Sequence, residues 1–396
     1  DEFCTNRYKT SHYCMCAFGT HLKKLFSQIN ICCKKFLLGK DMSVENYKCP
    51  GCGAPISFKP ASGGFKCDYC FSSYTEEEIT RYMEGLKAKK GGSEGSSSSE
   101  SKSGNNGSVK QYHCNNCGAE VVAGETSSAA FCYYCHSPVV LSERLRGEFK
   151  PDKIIPFKLD KKDALKCFAS WVEGKKYVPA DFTNTGTQEK MTGVYLPHWQ
   201  ADVVADLDYH AVGLKVSSWK SGNTEYTKTD KYKIERTGKI ELDKFQELAF
   251  TKIDKNLING ISPYELENQK DFSQGYLAGF FSEQYDIKKE DVEPTIKSRA
   301  EDYTKDLIKD SADYSGGIED EEDNTSYTVK NYNYVLLPSW ILTYLYKGKT
   351  YVFAVNGQTG KSSGELPLNK SKLALVSGLI SGILAALLLL GGRFIW

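Results

Sequence analysis

Cys49-Pro50-Gly51-Cys52 and Cys67-Asp68-Tyr69-Cys70 form two dithiol knuckles with fourteen residues between them. The pattern returns 65 residues later as Cys114-Asn115-Asn116-Cys117 and Cys132-Tyr133-Tyr134-Cys135. Two CxxC turns at that separation meet the requirement of a tetrahedral Cys4 zinc ribbon. Each turn presents two sulfurs to one ion, and the hairpin between the turns brings the second pair opposite. Both first knuckles continue Cys-Gly-Ala (Cys52-Gly53-Ala54 and Cys117-Gly118-Ala119), and glycine there permits the positive φ that lets backbone N–H groups approach the thiolates. Eight cysteines paired as disulfides is the competing reading, disfavoured because duplicated CxxC spacing is a metal signature.

The expected ligands are therefore Cys49, Cys52, Cys67 and Cys70 for one Zn2+, and Cys114, Cys117, Cys132 and Cys135 for a second. Four thiolates leave no open position for water or substrate, so both ions are expected to be structural. Ribbons this small bury too little to fold without metal. Persistent thiolates also call for a reducing compartment, hence the cytosolic side of any membrane. His136 follows Cys135 directly, but the set is already complete, and it reads as a surface histidine.

The chain has 396 residues, enough for one substantial core plus small modules. Its 51 basic and 50 acidic residues nearly cancel, so no global charge points to nucleic acid. Twenty-five tyrosines favour a sheet-rich body. Residues 1–41 differ from the rest: Cys14-x-Cys16 and Cys32-Cys33 match no zinc spacing, and the segment is read as an extension upstream of a natural start at Met42. At the other end, 373–392 contains no charged residue. Twenty residues at about 1.5 Å rise span roughly 30 Å, the hydrocarbon thickness of a bilayer. Lys370 and Lys372 precede this stretch, and Arg393 and Trp396 follow it as interfacial anchors do. Gly378-x3-Gly382 and Ser377-x3-Ser381 are a weak signal for close approach of another helix.

The expected class is α+β, organised as an extension (1–41), a first ribbon with a short helix (42–84), a Gly/Ser-rich linker (85–110), a second ribbon (111–147), a mixed body with an antiparallel sheet (148–369) and a transmembrane anchor (370–396). The linker composition predicts a flexible tether, leaving the ribbons unlocked from each other. In the body, Asp160 is a helix cap ahead of Leu165, Phe168, Ala169 and Val172. Strands are expected over 194–216, 226–237 and 327–355, with a hairpin turn at Lys347-Gly348-Lys349. Helices are expected over 272–284 and 292–307, the latter presenting Val292, Ile296, Ala300, Tyr303 and Leu307 on one face. The run 319–323 reads as a solvated acidic loop. Val194-Tyr195-Leu196-Pro197-His198-Trp199 echoes Val335-Leu336-Leu337-Pro338-Ser339-Trp340, each proline reading as the start of an edge strand and each Trp as a core anchor.

With these motifs, residues 42–396 resemble the bacterial membrane-anchored proteins, common in Firmicutes, known as TFIIB-type zinc ribbon-containing proteins. Many of those are also called primosomal helicase or phage replication protein. The resemblance rests on the doubled Cys4 pattern, Ile154-Ile155-Pro156-Phe157, Gly193 to Trp199, Tyr276-Leu277-Ala278-Gly279-Phe280, Val355-Asn356-Gly357-Gln358-Thr359-Gly360-Lys361 and the apolar C-terminal stretch. Some relatives lie beside phage-shock-type and flotillin-like genes, and the resemblance thus implies a membrane-associated adaptor.

A helicase activity has little support in the residues. Gly360-Lys361-Ser362 supplies the second half of a P-loop, but Val355 stands where the first glycine belongs and Pro367 follows soon after. Asn356-Gly357 and Thr359-Gly360 read as turn residues. No Ser/His/Asp or Cys/His arrangement stands out, so no enzyme is expected. Asp202, Asp206 and Asp208 alternate on a strand and read as a solvated face rather than a cation site. Nucleic-acid binding is the serious rival, with Tyr69, Phe71, Tyr133 and Tyr134 as stacking candidates. Neither ribbon carries a basic excess, however, and phosphate contact dominates such affinity. The reading favoured is a non-enzymatic, tail-anchored adaptor whose ribbons or body recruit protein partners at the cytosolic membrane face.

Overall fold

The two echoing hexapeptides lie side by side. In the computed structural model, Leu196 pairs with Leu337, Pro197 with Leu336, Tyr195 with Pro338, and Trp199 with Tyr334 in one antiparallel ladder. Because each residue and its echo straddle the same centre, this ladder is a local pseudo-dyad at the middle of the main sheet. The structure describes residues 45–90 and 110–395, except 115, 118, 133–134, 174, 176, 180–189 and 312–313. The expected 1–41 extension and most of the 85–110 linker lie outside the described residues.

The first cysteine set sits on a small antiparallel sheet of β1 (Ser57–Lys59), β2 (Gly64–Lys66) and β3 (Ser73–Tyr74), followed by α1 (Glu76–Lys90). The second uses the β4 (Lys110–His113) and β5 (Glu120–Ala123) pair, then β6 (Ser127–Phe131) and β7 (Pro138–Val140). The body adds β8 (Lys153–Ile154), α2 (Lys161–Glu173), the long hairpin of β9 (Thr192–Ser221) and β10 (Thr224–Leu248), and α3 (Lys255–Gly260). It continues with β11 (Lys270–Asp271), β12 (Phe281–Glu283), α4 (Lys289–Asp310), β13 (Ile318–Asp323), β14 (Ser326–Tyr346), β15 (Lys349–Asn356), β16 (Ser362–Gly364) and α5 (Lys370–Ile395).

The class is α+β, as expected. The main sheet has eleven strands with the central order β11-β8-β14-β9-β12-β6-β7. It is mixed rather than purely antiparallel, since β8 runs parallel to β14 and β12 runs parallel to β9. The strand β13 pairs with β9 through Glu319 and Glu322, so the expected acidic loop is an edge strand. Lys231 on β10 pairs with Glu319 and offsets part of its charge.

Pro197 and Pro338 are inside central strands, not at strand starts. The Pro197 carbonyl accepts from the Ala249 N–H at 3.0 Å, one residue past the end of β10; the Pro338 carbonyl accepts from the Gly357 N–H at 2.9 Å, one residue past the end of β15. Each proline therefore stands where its outer neighbour terminates, and the absent N–H costs no interior ladder bond. The two Trp residues are buried anchors: the Trp199 indole donates to the Ile287 carbonyl at 2.8 Å and Trp340 to Leu159 at 3.1 Å.

Helix α2 begins at the expected cap, with Asp160 Oδ1 accepting from the Asp163 N–H at 2.9 Å, and it buries Ala164, Phe168 and Val172, leaving Ala169 exposed. Helix α4 turns a different face inward than expected, burying Val292, Ile296, Ala300, Thr304 and Ile308 while Tyr303 and Leu307 stay exposed. Burial of Thr304 is tolerated because its hydroxyl donates to the Ala300 carbonyl at 2.8 Å. The segment 272–284 is not a helix: it is a single 3-10 turn at Gln274–Leu277 followed by β12. Gly275 and Gly279 interrupt any helical run, and Gly279 has φ +102°.

The β14–β15 turn forms at Lys347-Gly348 as expected, both residues having positive φ, as in a two-residue type I′ hairpin. Helix α5 is long and apolar enough to cross a membrane, and its side chains from Leu373 to Leu388 are exposed, apart from a half-buried Val376.

Candidate metal centres

The knuckles share a pattern of backbone bonds. The Cys49 N–H donates to the Ala54 carbonyl at 2.7 Å and the Gly53 N–H to Cys49 at 2.9 Å. In the second turn, Cys67 donates to Ser72 at 3.0 Å and Phe71 to Cys67 at 3.1 Å. The other set repeats three of these bonds among the described residues, with Cys114 to Ala119 at 2.8 Å, Cys132 to Ser137 at 3.0 Å and His136 to Cys132 at 2.9 Å. The turn needs a left-handed residue, which is Gly53 at φ +74° in the first knuckle. Phe71 at φ +60° and His136 at φ +53° fill the equivalent position of the second knuckles. His136 is thus an exposed turn residue outside the sulfur set.

These turns gather eight of the described cysteines into two groups of four, each with its sulfurs within 4.8 Å of one another. Cys49 and Cys70 Sγ are 3.5 Å apart, Cys52 and Cys67 3.6 Å, and Cys114–Cys135 and Cys117–Cys132 both 3.7 Å. A disulfide needs about 2.05 Å, and all eight thiols are free. Tetrahedral ligands at about 2.3 Å from one ion would sit about 3.8 Å from each other. The donor sets fit a thiophilic cation. Cys167, half-buried on α2, belongs to neither group.

Proton chemistry points the same way. Hydrogen bonds from the Ser72 hydroxyl and backbone hold the Cys70 thiol down at about 6. Burial works to raise Cys135, but hydrogen bonds from Ser137 and Asn116 outweigh it and hold that thiol at about 6 too. The Ala54 N–H works to lower Cys52, yet burial and the crowding sulfurs push it up to about 12. Cys117 behaves likewise: the Ala119 N–H is outweighed by Cys135, burial and the remaining thiols, again giving about 12. In a bare set the four sulfurs cannot all be thiolates at neutral pH, because each anion opposes the next. A bound dication removes that conflict.

Polar side chains orient the sulfurs. Ser72 Oγ lies 3.4 Å from Cys70 Sγ, Ser137 Oγ lies 3.2 Å from Cys135 Sγ, and Asn116 Nδ2 donates to Cys135 Sγ at 3.5 Å. None of these partners was marked by the spacing of the cysteines, although Ser72 and Ser137 share the 65-residue offset.

Both centres are built into the body, contrary to the expected tethered arrangement. The Phe58 N–H donates to the Ala278 carbonyl at 2.9 Å, and the Phe58 and Tyr276 rings meet edge-on at 5.3 Å. The 276–280 motif is therefore the seat of the first centre. The second centre lies at one end of the main sheet: β6 pairs with β12, Thr126 and Ser127 both donate to the Glu283 carboxylate, and Cys132 and Cys135 lie between β6 and β7. A β-bridge between Glu45 and Val140 joins the two centres directly. A connecting linker of any flexibility is overridden by these contacts.

The other expected features are also placed. Gly360-Lys361-Ser362 closes a turn between antiparallel β15 and β16, where Asn356 Oδ1 accepts from the Gln358 and Thr359 N–H groups and Lys361 Nζ donates to the Ser262 carbonyl. Asp202 binds two strand bulges, accepting from the Lys244 N–H at 2.9 Å and from Asn331 Nδ2 at 3.1 Å. Asp208 is hydrogen-bonded to His210 at 3.0 Å. Tyr133 and Tyr134 lie outside the described residues.

No family model matches the chain, and no solved structure matches it. It is similar to the uncharacterized protein YdjG of Bacillus subtilis (strain 168), 30% identical over 358 residues that cover 89% of this chain and all of that protein. With full coverage of the relative and both centres inside a single continuous fold, the chain belongs to the family of YdjG.

Proposed function

We propose that this protein is a membrane-anchored zinc-ribbon adaptor, with two structural Zn2+ ions held by Cys49, Cys52, Cys67, Cys70 and by Cys114, Cys117, Cys132, Cys135. Four sulfurs per set at near-tetrahedral spacing support zinc and leave no ligand position for a substrate. Membership of the TFIIB-type zinc ribbon-containing proteins is part of the same proposal. Elemental analysis should give two zinc ions per chain, with all eight thiols resistant to alkylation until a chelator is added. One ion, or thiols alkylated without chelator, would rule it out.

The observation that carries the adaptor reading is the exposure of Tyr69 (71%) and Phe71 (72%) on the outer knuckle of the first centre. Large rings held on a rigid metal turn are characteristic of protein contact surfaces. A chain carrying Tyr69→Ser with Phe71→Asn, the latter chosen to keep the left-handed turn, should retain both zinc ions. It should also lose partners that the wild type captures from detergent-solubilised membranes. Salt-sensitive recovery of RNA or DNA instead would favour the nucleic-acid reading. The Gly360-Lys361-Ser362 turn is proposed to have no nucleotide hydrolysis, and ATPase activity abolished by Lys361→Ala would reverse that.

The anchor is proposed to be 373–392, crossing once with the centres and body in the cytosol. Thiolate sites and the lysines Lys361, Lys370 and Lys372 ahead of the span, against Arg393 after it, support this orientation. Protease added to intact protoplasts should spare the body and cut it after lysis; cleavage in intact protoplasts would overturn the orientation.

A further inference from the structure

Where α5 leaves the body, the turn of the β14–β15 hairpin comes up against the first residues of the helix. They enclose a cavity of about 360 Å3 whose lining includes Lys347, Lys349, Lys370, Tyr346, Tyr351 and Leu368 and, among the described residues, no acidic one. The helix start is tied to the body: the Asn369 N–H donates to the Tyr177 carbonyl at 2.8 Å, and Asn369 Oδ1 accepts from the Lys372 N–H at 3.0 Å. Two of the ammonium groups are steered by aromatic faces, Lys347 Nζ at 5.2 Å from the Tyr346 ring centre and Lys349 Nζ at 4.9 Å from that of Tyr351. Among the described residues one carboxylate pairs with these lysines, Glu365 at 3.1 Å from Lys349, outside the lining and exposed.

Depth decides what such a cavity meets. If the apolar stretch from Leu373 fills the hydrocarbon, Lys370 lies about 5 Å outside it, within a headgroup layer roughly 5–7 Å thick on each side. Three lysines, two tyrosines and an exposed leucine at that depth match a phosphodiester with its glycerol: cations for the phosphate, ring faces and Leu368 for the carbons. We propose that this cavity binds the headgroup of an anionic phospholipid, an assignment that rests on the reading of α5 as a membrane span. The site would fix the angle of the body against the bilayer, since the hairpin and the helix both contribute to it.

The test places the full-length protein in phosphatidylcholine vesicles with a trace of spin-labelled phosphatidylglycerol or spin-labelled phosphatidylcholine. Electron paramagnetic resonance then reads the motionally restricted fraction of each. The expected result is a preference for phosphatidylglycerol that falls about fivefold with each of Lys347→Gln and Lys349→Gln, the tenfold-per-1.4 kcal/mol equivalent of one lysine at an anionic surface. Equal restriction of the two lipids by the wild type, or an undiminished preference in the double variant, overturns the proposal. Loss of the preference on adding water-soluble glycerol phosphate reassigns the cavity to free phosphoesters and overturns the lipid. Carbonate extraction separates the two readings: a chain that washes out has lost the span as well as the site, whereas a retained chain without lipid preference has lost the site alone.

Discussion

Asn46 Nδ2 reaches Cys114 Sγ at 4.0 Å, so a residue three positions before the first cysteine of one centre supports the first cysteine of the other. The same amide donates to the Pro138 carbonyl at 3.0 Å, just after the second knuckle of that centre, and Asn46 is buried. With the adjoining Glu45–Val140 bridge, this makes the two centres one mechanical unit. The second cysteine set is thereby tied to the way the chain enters the first.

Replacement of Asn46 by Ala should loosen the second centre selectively. Outer-shell partners of metal ligands are worth about 10–100-fold in affinity, and a contact as long as 4.0 Å belongs at the low end. If both sets hold zinc as proposed, chelator competition should show one of the two ions released about tenfold faster. Equal acceleration of both, or of neither, would contradict a selective contact.

Gly279→Ala should unseat the first centre without emptying it. A methyl here would stand 2.9 Å from Ser57 Cβ, at a backbone φ of +102° that L residues avoid. The left-handed penalty alone is about 1–2 kcal/mol. Hydrogen exchange in β1 and β2 should accelerate while the proposed content of two metal ions is kept; unchanged exchange in 57–66 would show that the 276–280 seat is not needed.

Local chemistry was legible in the sequence; partnership across the fold was not. The eight cysteines were readable because two turns carry all four sulfurs of a set, and the same holds for the Asp160 cap and the Lys347-Gly348 turn. The supporting Asn46 was invisible, since its partner lies 68 residues away and no periodicity links them. The strand β13 escaped because its run of acids reads as solvated until β9 offers an edge and Lys231 a counter-charge. The 272–284 segment differs from a helix for a similar reason: its apolar residues serve two neighbours, the first centre and β9, rather than one helix face. The inward face of α4 shifted by one residue because Thr304 could satisfy its hydroxyl within the helix.

Glu247 offers a test of how α3, α4 and β10 are locked. Its side chain is 3% exposed and pairs with both Lys255 and Arg299, the latter at 3.1 Å. Losing either cation leaves the carboxylate one partner, so Lys255→Met and Arg299→Met should each cost about 1 kcal/mol. The double variant strands a buried charge and should cost about 3–5 kcal/mol. Urea titration of the four proteins measures the coupling, and strict additivity would deny the shared role of Glu247.

The last prediction concerns acid. His198 is buried in β9 with Nδ1 3.1 Å from the Leu196 carbonyl, and burial pushes its pKa down from 6.5 to about 4. In the unfolded chain the imidazole takes up its proton near pH 6.5; in the folded chain it resists until about pH 4. Between those values the unfolded state binds more protons, so stability is full above pH 6.5 and is lost as the pH falls towards 4. At 1.36 kcal/mol per pH unit the loss approaches about 3 kcal/mol. Acid release of the proposed metal from the thiolates would also destabilise the protein, but it would do so in any variant that keeps both centres. The informative quantity is therefore the difference between wild type and His198→Gln. The variant should be less stable at pH 7.5 yet lose less on going to pH 5, so the two denaturation midpoints converge as the pH falls. Parallel pH profiles would mean that His198 takes up its proton at the same pH in the folded as in the unfolded protein, and that the β9–β14 ladder accommodates a cation at its centre.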